Sequence, residues 1–554
     1  MTRPPTIALL LLITAAAIAI QGYHPGLEDD AYYLAAIKRD LNPTLYPHDA
    51  DFFRLQFQAT IFDKLIAASI RLTHLPISAA ILLWHFAATL AILAACLAIA
   101  RRCFPKSEAH WSAVATVAAL LTIPVSGTGI SLTDQYLHPR AIATAAILGA
   151  IVAVLDNHRA KAAAFLIAAA AMHVIMAAYG ASLCLFLYWN SRRGGCPIQA
   201  RFWLEWGLTS RSRSQRPLAR SSQVPFHSYF NKLSSAIAIS PLTSDLSPLT
   251  SRATPWTPWL ALFIPLPWLF QPTTPAWREA AATRHFNLLT HWPWYEWLGV
   301  IAPFAILYYF ARQARSESVA QTSAESETRA HLSTSLLYYS LFQLVVALII
   351  LLPPQLERLR PFEPMRYLHL VYLLMFLLAG GLIGQHILGR HAYRWLLFFV
   401  PLSAVMFYAQ RQMYPSTAQL ELPGTKPSND YLRAFDWIKH NTPTDALFAL
   451  DPYYMQQPGE DFHGFRSLAE RSSLADMIKD PGMVARVPTL AERWQKEVQA
   501  TKNWQHFTSA DFENLKTNFG VTWVVLAHAS TAESPTPRLV CPYQNRTVEV
   551  CRIE

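Results

Sequence analysis

AAAFLIAAAAMHVIMAAYGASLCLFLYW, residues 162–189, carries no carboxylate, lysine or arginine. At about 28 residues it is too long for one comfortable helical crossing of a bilayer, which takes about 20. Charge decides how it divides. Arg159 and Lys161 precede the run, and Ser191-Arg192-Arg193 opens a basic stretch after it; lysine and arginine collect on the cytoplasmic face of a membrane protein. One crossing would separate these two basic groups. A break near His173 and Tyr179-Gly180 makes a tight pair of short helices and returns both groups to one side.

Working outward, similar apolar runs occupy Thr6–Ile20, Leu75–Ala100, Trp111–Val125, Ala141–Leu155, Trp256–Phe270, Tyr295–Phe310, Ser333–Leu352, Tyr367–Ile387 and Trp395–Tyr408. The first is short enough to read as a signal peptide or as an uncleaved helix, and both readings place residues 22–55 outside the cytoplasm. Arg101, Arg102 and Lys106, then Arg312 and Arg315, then Gly389-Arg390-His391 mark further cytoplasmic turns. The expectation is a polytopic α-helical membrane domain over 1–410 with about eleven transmembrane helices. Composition agrees: of 554 residues 53% are hydrophobic and 15% charged, against about 25% charged in soluble proteins. A soluble enzyme, a coiled coil and a disordered chain are excluded. The net charge of +10 fits cytoplasmic loops and does not indicate nucleic acid.

Two polar segments interrupt the helices. Residues 191–255 are rich in Ser, Arg, Thr and Pro and read as a disordered cytoplasmic loop; 311–332 read as a polar cytoplasmic linker. Residues 411–554 read as a small extracytoplasmic α/β domain. In it Ser428-Asn429-Asp430 caps a helix bearing Tyr431, Phe435 and Ile438 on one face. Ala446–Leu450 and Val521–Ala527 are short buried strands, with helices around Leu468–Ile478 and Thr489–Ala500. Six cysteines form no disulfide framework or zinc spacing, though an oxidising compartment would allow Cys541 to pair with Cys551.

The first outward loop reads Tyr23-His24-Pro25-Gly26-Leu27-Glu28-Asp29-Asp30-Ala31-Tyr32-Tyr33. Three adjacent carboxylates repel one another unless a metal, another cation or a proton is shared. They suit a catalytic base or a metal site, and equally the acidic first turn of a helix. Continued as a helix, the loop places Asp29, Tyr33 and Asp40 on one stripe and Leu27, Ala31 and Leu34 on another, which suits a helix lying on the membrane surface. His48, Asp49 and Asp51 follow; Asp49-x-Asp51 suits either a divalent ion or a turn after Pro47. Arg140, Arg284, Arg358 and Arg366 fall on the outward side, where basic residues are scarce. They suit phosphate binding, and alternatively snorkelling to headgroups or pairing with Glu357 and Glu363.

Many helices, a long first outward loop with an acidic pair and a globular outward tail together resemble the GT-C superfamily of integral-membrane glycosyltransferases. Gly22–Phe53, Tyr136–Arg140, Pro364-Met365-Arg366-Tyr367 and the stretch from Asp436-Trp437-Ile438 to Asp445-Ala446 are similar to uncharacterised bacterial multi-pass proteins of that architecture. The resemblance implies a bacterial inner-membrane protein transferring a sugar from a polyprenyl-phosphate carrier to an unnamed acceptor. Asp29 and Asp30 would be base or metal ligand, a divalent cation the cofactor if there is one, and Glu28, His48, Asp49 and Asp51 accessory. The phosphate role of the four arginines rests on location alone. A non-catalytic assembly or scaffold protein and a lipid-linked substrate transporter are the alternatives; for transport, Asp63 and Lys64 are the nearby charged pair.

The helix pair is open to test. Single cysteines at Ser214 and Ser428 are expected to label from opposite sides of the membrane, and labelling from one side overturns the break.

Overall fold

In the computed structural model, which describes residues 4–53, 58–192, 273–321, 323–527 and 539–554, the long run is two helices, Arg159–Met172 and Val174–Arg192. His173 between them is extended, and its Nδ1 accepts the Met176 amide at 3.3 Å, satisfying one of the donors a helix start leaves open. The Arg159 guanidinium lies 4.8 Å from the Tyr188 ring centroid, so the two helices run antiparallel. Tyr179-Gly180 is not a second break. It sits inside the second helix, where a β-carbon on Gly180 would come within 2.6 Å of Ile147; the glycine serves close helix approach.

Among the described residues six helices are long and apolar enough to cross a membrane: α1 (Pro4–Gln21), Ile77–Cys103, Val174–Ser191, Ala324–Leu351, Pro364–Leu388 and Ala392–Met413. The chain is thus a polytopic helical protein, a coarser result than the eleven crossings expected. Ser107–Ala119, Pro139–Leu155 and Arg159–Met172 are shorter helices packed among the long ones. The run Trp256–Phe270 and the expected loop beyond Arg192 lie outside the described residues. Leu396, Leu397 and Val400 on the last of the six are exposed, as a lipid-facing surface requires.

Ion pairs tie the helix ends remote from the C-terminal domain: Arg102 with Asp156 at 2.6 Å, Arg390 with Glu108 at 2.7 Å, and Glu317 with Arg329. The last pair lies within the polar linker expected at 311–332. Helices run through to Gln321 and resume at Ala324. Glu, Ala, Gln and Arg are good helix formers, and the Ser323 hydroxyl caps the second helix at Ser326 N.

The first loop is also unlike its expected form. Helix α2 (Asp30–Leu41) is buried from Asp30 to Lys38 and does not lie on a membrane surface. Tyr33, Leu34 and Ile37 enter the core of the helical bundle. Ala31 packs with Phe435 and Phe448 of the C-terminal domain, and Tyr32 and Ala35 with Phe52, Phe53, Trp277 and Trp494. The expected stripes do not persist as faces: Leu34 joins Tyr33 in the bundle core, whereas Ala31 packs with the C-terminal domain.

The C-terminal domain is a five-stranded sheet. A small hairpin, β1 (Pro124–Val125) and β2 (Ile130–Ser131), precedes it in the chain. The sheet comprises β3 (Leu447–Ala449), β4 (Ser472–Ser473), β5 (Trp523–Ala527), β6 (Leu539–Gln544) and β7 (Val548–Ile553), in the order β4-β3-β5-β7-β6. β3 is parallel to β4 and β5, whereas β7 is antiparallel to β5 and β6. Both expected strands are present, and a disulfide joins Cys541 to Cys551. Asn429 caps helix Asp430–Asn441 by accepting Leu432 N at 2.7 Å, with Tyr431, Phe435 and Ile438 buried. The helix expected at Leu468–Ile478 is instead a short helix, Phe465–Ala469, followed by β4.

What replaces that helix is an ion network. Arg466 Nε donates to Asp49 at 2.5 Å, and its Nη1 and Nη2 donate to the two oxygens of Asp480 at 2.8 and 3.0 Å. Tyr32 donates to Asp480 at 2.6 Å, and Asp49 also accepts Ser473 N of β4 at 3.1 Å. Removing one partner of such a network leaves buried charge uncompensated, at about 3–5 kcal/mol. Arg466→Ala is therefore expected to lower the thermal unfolding midpoint of detergent-solubilised protein sharply. Asp51→Asn, at a side chain 67% exposed, should change stability by no more than about 0.5 kcal/mol.

Candidate functional site

The first loop, the helix ends and the C-terminal domain enclose a cavity of about 530 Å³, with Ile130 and Ser131 of β2 in one wall. Asp29 opens into it. It precedes α2 with helical backbone angles, φ −70° and ψ −15°, and its carboxylate makes no capping bond. Glu28 has φ +52°, a left-handed conformation costly for a residue with a side chain. This turn brings both carboxylates to one cation: Lys479 Nζ donates to Glu28 Oε2 and, at 3.3 Å, to Asp29 Oδ1. Burial would raise the Asp29 pKa, but Lys479, with Arg366 and Arg284 beyond it, holds this carboxyl far below the usual range.

Asp30 faces the other way. Its carboxylate accepts Gly26 N at 2.6 Å, is buried and does not line the cavity. Burial pushes its pKa up to about 7 despite that hydrogen bond. His48, Asp49 and Asp51 also lie away from the cavity. His48 is exposed, with Nε2 3.0 Å from the Asp445 carbonyl. Asp49 is buried against Arg466, and Asp51 is exposed 3.7 Å from Arg493. The pair Asp49-x-Asp51 therefore splits between core and solvent and holds no ion in common.

Three of the four expected arginines, Arg140, Arg284 and Arg366, line the cavity; Arg358 does not, and Arg360 does. Pro139 starts the helix carrying Arg140, and His138 Nδ1 accepts Arg140 N at 2.9 Å. Arg140 Nη2 donates to both Asp134 oxygens at 2.5 and 2.7 Å, leaving its buried Nε and Nη1 without a protein partner. Arg366 pairs with Glu363 at 2.7 Å, its buried Nε likewise unpartnered. Glu363, at φ +54°, also holds Arg486 at 2.9 Å. Arg284 Nη2 donates to the Lys479 carbonyl at 2.9 Å, and its Nε has no partner. Buried N–H groups cost free energy when unsatisfied, so three guanidiniums with unmet donors around one cavity suit an anionic group such as phosphate.

A divalent cation does not fit the acidic pair. Among the described residues, His, Cys, Asp or Glu ligand atoms come together in threes within 4.8 Å at Cys541, Glu549 and Cys551, and there the cysteines are a disulfide. Around Glu28 and Asp29 no third ligand joins them; Asp134 is engaged by Arg140 and the Lys479 ammonium bridges the pair.

Sequence reasoning misses Lys479, Arg486 and Asp134, whereas Glu363, expected as an alternative arginine partner, does pair with Arg366. The expected scarcity of outward basic residues singles out arginines near helix ends, but it says nothing of Lys479 and Arg486, which lie in the C-terminal α/β domain.

No protein-family model matches the sequence, and no curated protein matches it. Among solved structures, the archaeal oligosaccharyltransferase AglB from Archaeoglobus fulgidus, in complex with an inhibitory peptide and a dolichol-phosphate, is similar over 94% of this chain and 69% of its own, with 11% identity and a TM-score of 0.32.

Behind the acidic loop, Glu421 bridges His24 Nδ1 at 2.8 Å and His463 Nε2 at 3.2 Å. Burial opposes the charged imidazolium, yet Glu421 and Glu460 raise His463 from 6.5 to about 10. The folded protein then binds more protons than the unfolded chain between those values, so this stabilisation is complete below pH 6.5 and is lost as pH rises through about 10. Thermal unfolding midpoints are expected to fall across that window, and His463→Gln should flatten the fall.

Proposed function

We propose that the chain is a membrane glycosyltransferase that moves a sugar from a polyprenyl-phosphate carrier to an acceptor hydroxyl on the extracytoplasmic side, with Asp29 as general base. One observation carries the reading: an uncapped carboxylate shares a cavity with Arg140, Arg284 and Arg366, each of which keeps a buried guanidinium N–H without a protein partner. Sugar transfer from phosphate needs a group to take the acceptor proton and cations to hold the departing phosphate.

Geometry selects between the two aspartates. Asp30, near pKa 7, is the better base by proton affinity, but it is hydrogen-bonded behind the cavity wall, and reach comes before pKa. Asp29 is the weaker base while unscreened cations surround it. A bound phosphate neutralises those cations and thereby raises the proton affinity of Asp29 when the donor is in place.

The membrane arrangement belongs to the same proposal. Arg101, Arg102, Arg159, Lys161 and Arg390 occupy helix ends remote from the C-terminal domain. The positive-inside bias assigns that end to the cytoplasm of a bacterial inner membrane and the cavity to the other side. Eleven crossings, the number expected from the sequence, satisfy these placements.

Purified protein incubated with a panel of radiolabelled polyprenyl-phosphate sugars tests the reading. Asp29→Asn is expected to lower turnover by about 100 to 10,000-fold, whereas Asp30→Asn, which keeps an acceptor for Gly26 N, should retain it. Wild-type turnover in folded Asp29→Asn protein removes the general base and with it the main support.

A further inference from the structure

We propose that the Lys479 ammonium is the resident cation of the Glu28–Asp29 pair, so that the C-terminal domain completes the site and no divalent ion binds between these carboxylates. The geometry of the pair comes first. Lys479 is 7% exposed, yet its Nζ reaches both carboxylates, which remain 33% and 39% open to the cavity. An ammonium hydrogen-bonded to two oxygens from neighbouring residues occupies the place a bridging ion would take. A metal there would have to displace it or lie beside it, with Arg284 and Arg366 lining the same cavity.

The backbone that presents Lys479 is fixed independently. Asp476 Oδ1 accepts Ile478 N at 2.8 Å and Lys479 N at 2.5 Å. Asp480 Oδ2 accepts Asp476 N at 2.9 Å while Arg466 clasps the same carboxylate. The Lys479 carbonyl accepts Arg284 Nη2, and a β-carbon on Gly482 would come within 2.4 Å of that nitrogen. Both ends of the segment are thus locked, and the long side chain is directed to the acidic pair rather than free to swing away.

The ligand set points the same way. Magnesium requires near-octahedral oxygen coordination and calcium about six to eight oxygens, whereas among the described residues no third His, Cys, Asp or Glu ligand atom joins the pair and the ammonium already bridges it. An ammonium has three N–H donors; two serve Glu28 and Asp29. On the transferase reading, on which only this step rests, the remaining donor serves the carrier phosphate. The acceptor proton passes to Asp29, the acceptor oxygen bonds the anomeric carbon, and the electron pair of the broken carbon–oxygen bond leaves on the phosphate.

Mn²⁺ titration of the purified full-length protein, read by electron paramagnetic resonance without substrate, tests the proposal whether or not the chain transfers sugar. Wild-type protein is expected to show no Mn²⁺ binding that Asp29→Asn weakens. Stoichiometric binding weakened about tenfold or more by Asp29→Asn overturns it, and Glu28→Gln reads the same site if Asp29→Asn does not fold. Where transfer is measured, EDTA should leave it unchanged. Lys479→Ala should lose transfer, with added ethylamine restoring part of it; loss in EDTA that Mn²⁺ restores overturns the proposal.

Discussion

Arg466 is buried between Asp49 of the first loop and Asp480 of the C-terminal domain, and the arrangement of the cavity depends on that contact. Removing these charges from water costs several kcal/mol per ion, recovered only when geometry is good and remaining hydrogen bonds are made. Here the guanidinium is bidentate on Asp480, whose oxygens also accept Tyr32 and Asp476 N, while Asp49 Oδ2 takes Arg466 Nε and Ser473 N and its buried Oδ1 has no partner. The network sets the position of the loop running from Asp476 to Asp480. It therefore sets where Lys479 meets Asp29, more than four hundred positions away in sequence. A site assembled from so distant segments needs a rigid, non-local joint, and an ion network specifies one register where apolar contact would tolerate several.

The burial of α2 follows from the same joint. One short helix contributes to three cores, so the loop bearing Asp29 cannot move without disturbing both the bundle and the C-terminal domain. Backbone strain at Glu28 and Glu363, both lining the cavity, is held by that packing. Sparsely populated conformations persist where surroundings over-determine them, and these two turn carboxylates toward Lys479, Arg366 and Arg486.

Much of this is legible in the sequence, and the boundary is physical. The His173 break is readable because charge placement and bilayer thickness constrain the same run from two directions. Asp29, Arg140, Arg284 and Arg366 are readable because each is anomalous in its local setting. Asp30 and Asp49 have the same local appearance as Asp29, but their roles are set by Gly26 N and Arg466, partners that composition does not reveal. Arg358 and Arg360 differ only in which side of a 3₁₀ turn they occupy. In the segment 311–332 polarity indicates contact with water and says nothing of the backbone, which is helical to Gln321 and again from Ala324. The expected helix over Leu468–Ile478 fails because apolar spacing carries no knowledge of the acidic side chains that draw that segment into β4 and the Asp476 turn.

The cavity also shows how a basic site can be kept ready without collapsing on itself. Cations brought close together repel, and four here are anchored by carboxylates: Arg140 by Asp134, Arg366 and Arg486 by a shared Glu363, Lys479 by Glu28 and Asp29. The anchors engage one edge of the Arg140 and Arg366 guanidiniums and leave other, buried N–H groups without a protein partner. A planar fork suits this division, because one edge can be fixed while another binds. An arriving phosphate then meets donors already oriented and requires little rearrangement of the protein, which is the condition under which fixed dipoles and charges stabilise a transition state most. The carboxylate anchors are therefore part of the anion site, although they carry the same sign of charge as the ligand they prepare it for.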